Sequence, residues 1–220
     1  MEERKTVKLK KNEFEVKEYI KSTIGKGKFS RVGIEYTPVG EKIIISTHKP
    51  GLIIGRKGEM INELTDTLKK KFGLENPHIE IDEIKEPEFD SQIIADDLAL
   101  GLEKLGPLKF KVIAYKALSK IMGSGAAGVE IKLNGKLPSS RAKTWRFAQG
   151  YLKKTGDAAK VVDRSKARAE TKPGTVGIKV SILSPHAIMK DRINLTDKLI
   201  ENLKENAEKE NNKSKKKVKE

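Results

Sequence analysis

The sequence has 220 residues, and its 46 lysine and arginine side chains against 31 acidic ones give a formal net charge of +15 at pH 7. The sequence contains no cysteine, so disulfides and thiolate zinc sites are excluded. It contains no apolar run of about 18 residues, so no membrane span is predicted. The excess of positive charge favours a polyanion, and nucleic acid above membrane surface or acidic protein, as the partner.

The positive charge is concentrated in two stretches of the chain. Residues 1–73 and 107–198 are basic, whereas residues 74–106 carry ten acidic and only two basic side chains. This division suggests two separate binding surfaces rather than one diffuse coat. The length suits one large or two modest domains, and the charged N-terminus lacks the apolar core of a signal peptide, so we expect a cytoplasmic protein.

The N-terminal part predicts the element order α-β-β-α-α-β. A first helix ends at Gly25, and a β-hairpin turns at residues 38–40. Pro50 fits the first turn of a short helix, and a longer helix follows from residue 59 to Gly73, with a strand at 79–84. The apolar face of the first helix is predicted to comprise Phe14, Val16, Tyr19, Ile20 and Ile24.

The C-terminal part predicts two amphipathic helices followed by strands. The helices lie at 90–106 and 107–125, and Asp90 or Ser91 can cap the first. Strands are predicted at 128–137 and at 161–183, the latter folded back at a turn over 172–174. The intervening segment 138–160 is basic and less regular, and we expect it to wrap the rim of the sheet.

The stretch KPGLIIGRKGEMINEL contains a Gly-x-x-Gly turn formed by Gly55, Arg56, Lys57 and Gly58. Glycines let a backbone approach a sugar–phosphate chain closely, and the start of the following helix presents free N–H groups to an anion. Arg56 and Lys57 add positive charge at the same place. Although the spacing alone is common, both flanking helices and the following strand favour a phosphate-facing turn for single-stranded nucleic acid.

The run from KPGLIIGRKGEMINELTDTLKKKFG to GVEIKLNGKL and GTVGIKVSIL resembles the universal small-subunit ribosomal protein S-three family, in its archaeal form, over roughly residues 12–185. The resemblance implies an α+β fold with a type II KH domain (1–86) and a two-layer α/β C-terminal domain (87–200). The basic tail (201–220) has too few apolar groups to offset the entropy of ordering, so we expect it to be disordered. The resemblance also implies a structural, non-enzymatic protein of the subunit head that binds ribosomal RNA and neighbouring ribosomal proteins. Such proteins line the channel through which messenger RNA (mRNA) enters.

A second set of RNA contacts is predicted from the C-terminal basic stretch. In the resembling family, a basic helix before the first strand of the C-terminal domain faces the incoming mRNA, and here that helix carries Lys111 and Lys116. Residues 132–172 hold 12 basic and 3 acidic side chains, too few acids for an ordinary solvated face. The candidates there are Lys136, Arg141, Lys143, Arg146, Lys153, Lys154, Arg164, Lys166 and Arg168.

Several other features are given structural interpretations. Trp145 can stack a base but is better explained as an anchor to the core, and the acidic helix containing Asp96 and Asp97 could meet a basic neighbouring protein. His48, His78 and His186 lack metal-ligand spacing, so no metal or cofactor is predicted.

Two alternative functions are considered besides a ribosomal one. An abasic-site lyase would need a lysine with a lowered pKa, which this lysine-rich sequence does not single out. A transcription elongation factor with KH domains would need a second Gly-x-x-Gly between helices. GSGAAG at 123–128 has that spacing, but it follows a predicted helix and precedes a predicted strand.

Overall fold

The described residues of the N-terminal part confirm the predicted order of elements. A computed structural model describes residues 2–38, 40–74 and 76–189 of the chain. Its first elements are α1 (Glu2–Ile24), β1 (Arg31–Thr37), β2 (Gly40–Thr47), α2 (Pro50–Ile54), α3 (Glu59–Phe72) and β3 (His78–Glu83). β1 and β2 form an antiparallel hairpin, and β3 pairs with β2 in parallel, so the sheet order is β1-β2-β3.

This N-terminal sheet is covered by helices that supply one apolar stripe each. Ile43 and Ile45 alternate on β2 and are fully buried, because successive residues of a strand face opposite sides. Leu64 and Leu68 of α3 lie one helical turn apart and close over them. Ile53 of the short α2 joins the same cluster, and this packing fixes α2 and α3 on either side of the Gly-x-x-Gly turn.

The first helix is longer than its apolar pattern, and one of its predicted core residues is wrong. α1 begins at Glu2, and its first turns are exposed and charged. Val16, Ile20 and Ile24 are buried at a spacing of four, whereas the side chain of Phe14 is 64% exposed. A residue two positions before Val16 lies about 200° round the helix from it, so Phe14 projects away from the sheet.

The C-terminal part has two helices on one face of an antiparallel sheet, as the predicted two-layer arrangement requires. Its elements are α4 (Ser91–Leu105), α5 (Phe110–Gly123), β4 (Gly128–Gly135), β5 (Lys143–Gly150), β6 (Asp163–Thr171) and β7 (Gly174–Leu183). The strand order is β5-β4-β7-β6. α4 packs against β6 and β7, and α5 packs against β4 and β5. Asp90 caps α4 by accepting hydrogen bonds from the backbone N–H groups of Gln92 and Ile93.

The expectation that 138–160 is an irregular wrap of the rim is wrong for β5, which pairs with β4 along its whole length. Only two of its residues point to the core: Phe147 is buried, and the half-buried Trp145 packs against the same cluster. At an edge strand the outward residues can all be polar or charged. Because of this composition, the basic segment does not show the alternation of apolar and polar residues by which a strand is usually recognised in a sequence.

Hydrogen bonds and an ion pair join the domain that contains the N-terminal sheet to the domain that contains the C-terminal sheet. The carboxylate of Asp163 accepts from the Arg31 guanidinium at 2.7 Å and from the Ser91 N–H at 2.9 Å. Lys26 forms an ion pair with Glu103 at 3.0 Å. The described chain up to Ala187 is one compact unit, so these contacts set the position of one candidate binding surface relative to the other.

Asp96 belongs to the same contact region, and the expectation that it faces a neighbouring protein is wrong. Its carboxylate is buried and accepts hydrogen bonds from the Gly27 N–H and the Gln92 side-chain amide. Burial raises the pKa of Asp96 above its ordinary value, although both hydrogen bonds act in the opposite direction. Asp97, the next residue, is exposed, and contact of this helix with a basic neighbouring protein stays a prediction.

The predicted disorder of 201–220 lies outside the residues that the structure describes. Within the described ranges, no helix combines the length and the apolar character needed to cross a bilayer.

Candidate nucleic-acid interface

The Gly-x-x-Gly turn has a backbone that only glycine adopts readily at its first position. Gly55 ends α2 with φ 73° and ψ −173°, a region that is essentially restricted to glycine. A Cβ atom there would also lie 2.5 Å from Cγ of Met60. Gly55 therefore allows the chain to leave α2 and to turn directly into α3.

The next three residues turn the backbone outward. Lys57 has φ 53° and is the one non-glycine residue with positive φ among those described, a conformation that costs lysine about 1–2 kcal/mol. Gly58 has φ 81°, and a Cβ atom built on it would meet no heavy atom within 4 Å. The glycine at 58 is thus required by the backbone angle, and it leaves open space in front of the turn.

The turn presents donors and positive charge to that open space. Arg56 and Lys57 are exposed, and the structure shows no side-chain cap at the start of α3. The first N–H groups of a helix have no partner within the helix, so those of α3 can donate to an anion. The four predicted residues 55–58 are therefore brought together in a geometry suited to a phosphate group.

Apolar side chains that the sequence analysis did not identify border this turn. Leu52 and Ile54 of α2 are 50% and 38% exposed, and Met60 of α3 is 38% exposed. Such side chains can contact sugars or bases while the cations contact phosphates. For Leu52 and Ile54 this exposure could have been predicted from the sequence. GLIIG contains three consecutive apolar residues, and a five-residue helix that packs on one side cannot bury all three.

A second basic surface lies on the C-terminal sheet, on the face opposite α4 and α5. Val129, Ile131 and Leu133 of β4 are buried under the helices, so the alternate residues of each strand point away from them. The outward residues of this surface, hereafter the outer face, include Arg146 on β5, Lys132 on β4, Lys179 on β7, and Arg164, Lys166 and Arg168 on β6.

Glu130 lies at the centre of this cationic surface. Its side chain is only 6% exposed and makes ion pairs with Lys132 at 3.2 Å, with Lys154 at 2.9 Å and with Arg146. Burial by itself raises the pKa of Glu130, but hydrogen bonds from Lys154, Arg146 and Lys132 outweigh it and lower the pKa from 4.5 to about 2. One carboxylate thus holds three cations in place and leaves a local excess of positive charge.

Glu130 makes the stability of the chain depend on pH in a defined window. Because its pKa is lower in the folded than in the unfolded chain, its contribution is complete above about pH 4.5 and is lost as the pH falls towards about 2. We expect Glu130→Gln to lower the free energy of unfolding by about 2–3 kcal/mol at pH 7 and to have little effect near pH 2. Urea unfolding of both proteins at several pH values measures this difference.

A matched control for that experiment is Asp157→Asn, which neutralises a mostly exposed carboxylate that pairs with Lys160. A surface pair of this kind contributes about 0–1 kcal/mol. Equal losses for the two variants, or a loss for Glu130→Gln that does not change with pH, would contradict the assignment.

The remaining predicted contacts lie in three other places. Lys111 and Lys116 are exposed on α5, on the opposite side of the sheet from the outer face. Lys136, Arg141 and Lys143 are exposed in and after the β4–β5 connection. Lys153 and Lys154 follow β5, and Lys154 reaches Glu130 across the outer face.

Trp145 anchors β5 to the core, as the sequence analysis favoured. Its indole N–H donates to the carbonyl oxygen of Leu137 at 2.9 Å, and its ring centroid lies 5.2 Å from that of Phe110. The Lys111 ammonium lies 5.1 Å from the ring centroid, which is a cation–π distance. The ring is therefore engaged on the helix side of the sheet and is not available to stack a base from the outer face.

Sequence reasoning missed Lys132 and Lys179 as candidate contacts. Both point outward from the two central strands of the sheet. Each stands between apolar residues that are buried, Ile131 and Leu133 in one case and Ile178 and Val180 in the other. This alternation could have revealed their direction, but the strand register was needed to show that they are neighbours.

Two family models match the chain, and together they span both sheets. One, described as "KH domain", matches residues 15–89. The other, described as "Ribosomal protein S3, C-terminal domain", matches residues 102–182. The first contains the Gly-x-x-Gly turn, and the second contains β4, β5, β6 and all but the last residue of β7.

Curated relatives match most of the chain. A protein of Methanocaldococcus jannaschii named "Small ribosomal subunit protein uS3" is 40% identical over 194 residues, which cover 88% of this chain and 92% of the relative. Proteins of the same name from Methanococcus maripaludis and Methanococcus aeolicus are 36% and 35% identical, over 88% and 90% of this chain and 91% and 94% of the relatives.

Proposed function

This chain belongs to the uS3 family of small ribosomal subunit proteins, and from that premise we propose that it binds ribosomal RNA through the Gly-x-x-Gly turn and the outer face. Membership of the family makes it a ribosome-bound RNA-binding protein with a structural role, with other ribosomal proteins as neighbours. The two basic surfaces described above are the parts of the chain best suited to the RNA.

One observation carries the assignment of the turn. Arg56 and Lys57 project from a backbone that bends outward at positive φ, and the space in front of Gly58 is open. The bend is held by the packing of α2 and α3 on either side of it and by a hydrogen bond from the Glu59 N–H to the Arg56 carbonyl oxygen, and it leaves both charged side chains exposed. Strain that the surrounding structure maintains in this way clusters at ligand-binding sites, where it can pre-organise the contacting groups.

The two alternative functions are disfavoured. GSGAAG at 123–128 lies between α5 and β4, so the described chain has no second Gly-x-x-Gly between helices of the kind that an elongation factor with several KH domains needs. A lyase needs a lysine whose pKa is lowered by burial or by a cationic neighbour, and no lysine of the described residues is buried. The named relatives are ribosomal proteins.

The finer part of the proposal concerns mRNA. α5 exposes Lys111 and Lys116, on the side of the C-terminal domain opposite the outer face. We infer that these lysines face mRNA as it enters the subunit while the outer face is occupied by ribosomal RNA. Val112 and Tyr115 are exposed between them and interrupt the positive charge, so we expect contact with mRNA but a weaker capacity to separate its base pairs than a fully cationic helix would have.

Gradient fractionation tests the proposed function directly. We expect the chain in a cell extract to migrate with small ribosomal subunits at low salt and to dissociate from them as salt increases, because phosphate contacts weaken with salt. A chain found only in the free fractions would contradict the proposal and would restore the lyase and elongation-factor alternatives. The same gradients, run with a Lys111→Gln, Lys116→Gln variant, should show normal incorporation if these lysines face mRNA rather than ribosomal RNA.

A further inference from the structure

The outer face contains a row of four cations placed directly opposite one another across all four strands. Arg146 of β5 pairs in register with Lys132 of β4, Lys132 pairs with Lys179 of β7, and Lys179 pairs with Lys166 of β6. With strands about 4.8 Å apart, the row is about 14 Å wide. Like charges directly opposite each other destabilise a sheet, so the fold gains nothing from this arrangement.

The row is only partly neutralised within the chain. Glu130 pairs with Lys132 and Arg146 at one end of the row, whereas no described carboxylate pairs with Lys179 or Lys166. Both of these lysines are exposed, and α4 and α5 cover the opposite face of the sheet. A polyanion lying across the strands would complete the arrangement.

The four strands of the outer face also lack the outward aromatic side chains that a single strand would need, and the exposed Tyr151 lies beyond the end of β5. Proteins that bind unpaired nucleic acids stack bases on aromatic rings, but Trp145 and Phe147, the aromatic residues of the sheet, both point to the helix side. The outward residues of the four strands are Gly128, Glu130, Lys132, Asn134, Thr144, Arg146, Ala148, Gly150, Arg164, Lys166, Arg168, Glu170, Thr175, Gly177, Lys179, Ser181 and Leu183. None of them is aromatic.

We propose that the outer face binds the backbone of double-helical RNA, with Lys132 and Lys179 as its central phosphate contacts. A duplex hides its bases and offers phosphates and 2′-hydroxyls on a regular surface, and proteins recognise it chiefly by that shape and charge. A rigid sheet with a broad row of cations and no stacking platform fits such a ligand. The inference rests on the proposed function and assigns a different form of RNA to each surface. The Gly-x-x-Gly turn binds unpaired RNA, and the outer face binds paired RNA.

The test compares two RNAs and three double variants of the full chain. The RNAs are a duplex of roughly 16 base pairs and an unpaired strand of equal length, and binding is followed by fluorescence anisotropy at several salt concentrations. The variants are Lys132→Gln with Lys179→Gln, Arg56→Gln with Lys57→Gln, and, as a control with the same loss of charge, Lys5→Gln with Lys8→Gln on the exposed start of α1. Thermal unfolding checks that each variant remains folded.

We expect the sheet variant to lose about tenfold or more in duplex affinity and to reduce the salt slope for the duplex by about 2. Its affinity for the unpaired strand should stay within about twofold of the parent, and the turn variant should show the reverse pattern. Equal losses on both RNAs, a sheet variant that matches the control, or tighter binding of a polyglutamate peptide than of the duplex would overturn the inference. A parent chain that binds neither RNA would contradict the proposed function itself.

Discussion

Replacing both Arg56 and Lys57 by aspartate is expected to lower affinity for ribosomal RNA on the order of 100-fold or more and to keep the chain out of small subunits. Each cation lost removes a charge-assisted hydrogen bond, which contributes about 1.5–3 kcal/mol, and each carboxylate added repels the phosphate. A hundredfold change in affinity corresponds to about 2.7 kcal/mol, and the binding free energy lost through two such substitutions in one turn exceeds that value. Filter binding and gradient fractionation measure the two effects.

The fold should survive this substitution, so the loss can be assigned to binding. Both side chains are exposed and pack against nothing in the core. Aspartate also tolerates the left-handed conformation of residue 57 better than lysine does. The control reverses the charge of Lys5 and Lys8, which are exposed on α1 at a distance along the chain from the turn. Normal assembly of the Arg56→Asp, Lys57→Asp protein, or an equal defect in the control, would count against the turn as an RNA contact.

A steep dependence of RNA affinity on salt is the second large effect. The turn and the outer face together offer at least eight exposed or half-exposed cations, and binding to phosphates releases one condensed counterion for nearly every contact. For six to ten such contacts, affinity falls by roughly 10³ to 10⁵ between 50 mM and 200 mM salt. Titrations of the full chain with small-subunit RNA at four or five salt concentrations give the slope.

The same titrations separate the two surfaces. The Lys132→Gln, Lys179→Gln variant should reduce the magnitude of the slope by about 2, because two contacts are removed. A salt response of less than tenfold over this range would mean that hydrogen bonds or apolar contacts, and not phosphate neutralisation, dominate binding. Such a result would point to a partner other than an RNA backbone.

Most of the N-terminal fold could be predicted from sequence because its signals are local. Pro50 starts α2, and Gly73 ends α3 in the left-handed conformation that favours glycine. The turn at 55–58 was recognisable for the same reason, since its glycines, cations and flanking helices are contiguous. Its exposure and its strained backbone at Lys57 required the structure.

The errors came from residues whose environment depends on distant partners. Phe14 has the hydrophobicity of a core residue, but the helix turns it away from the sheet. Asp96 has the charge of a surface residue, but it is buried against the N–H of Gly27, 69 positions away along the chain. β5 was missed because an edge strand buries only one of its two faces, leaving few apolar residues to show the alternation.

The outer face shows why a charge count does not define a site. The excess of positive charge at 132–172 was visible in the sequence, and it includes most of the cations that the structure places on the outer face. The cross-strand register then placed Lys132 beside both Arg146 and Lys179, and it turned Trp145 to the opposite side. Only pairing between strands brings Lys179, which lies outside that basic stretch, into the centre of the row.

Photo-cross-linking from residue 60 in assembled small subunits tests the central claim most directly. Met60 is partly exposed beside Gly55, so a photoreactive amino acid placed there leaves Arg56 and Lys57 intact. The account predicts cross-links to unpaired ribosomal RNA from residue 60, and none to RNA from a probe at the exposed Asp97. Cross-links from residue 60 to protein alone would contradict it.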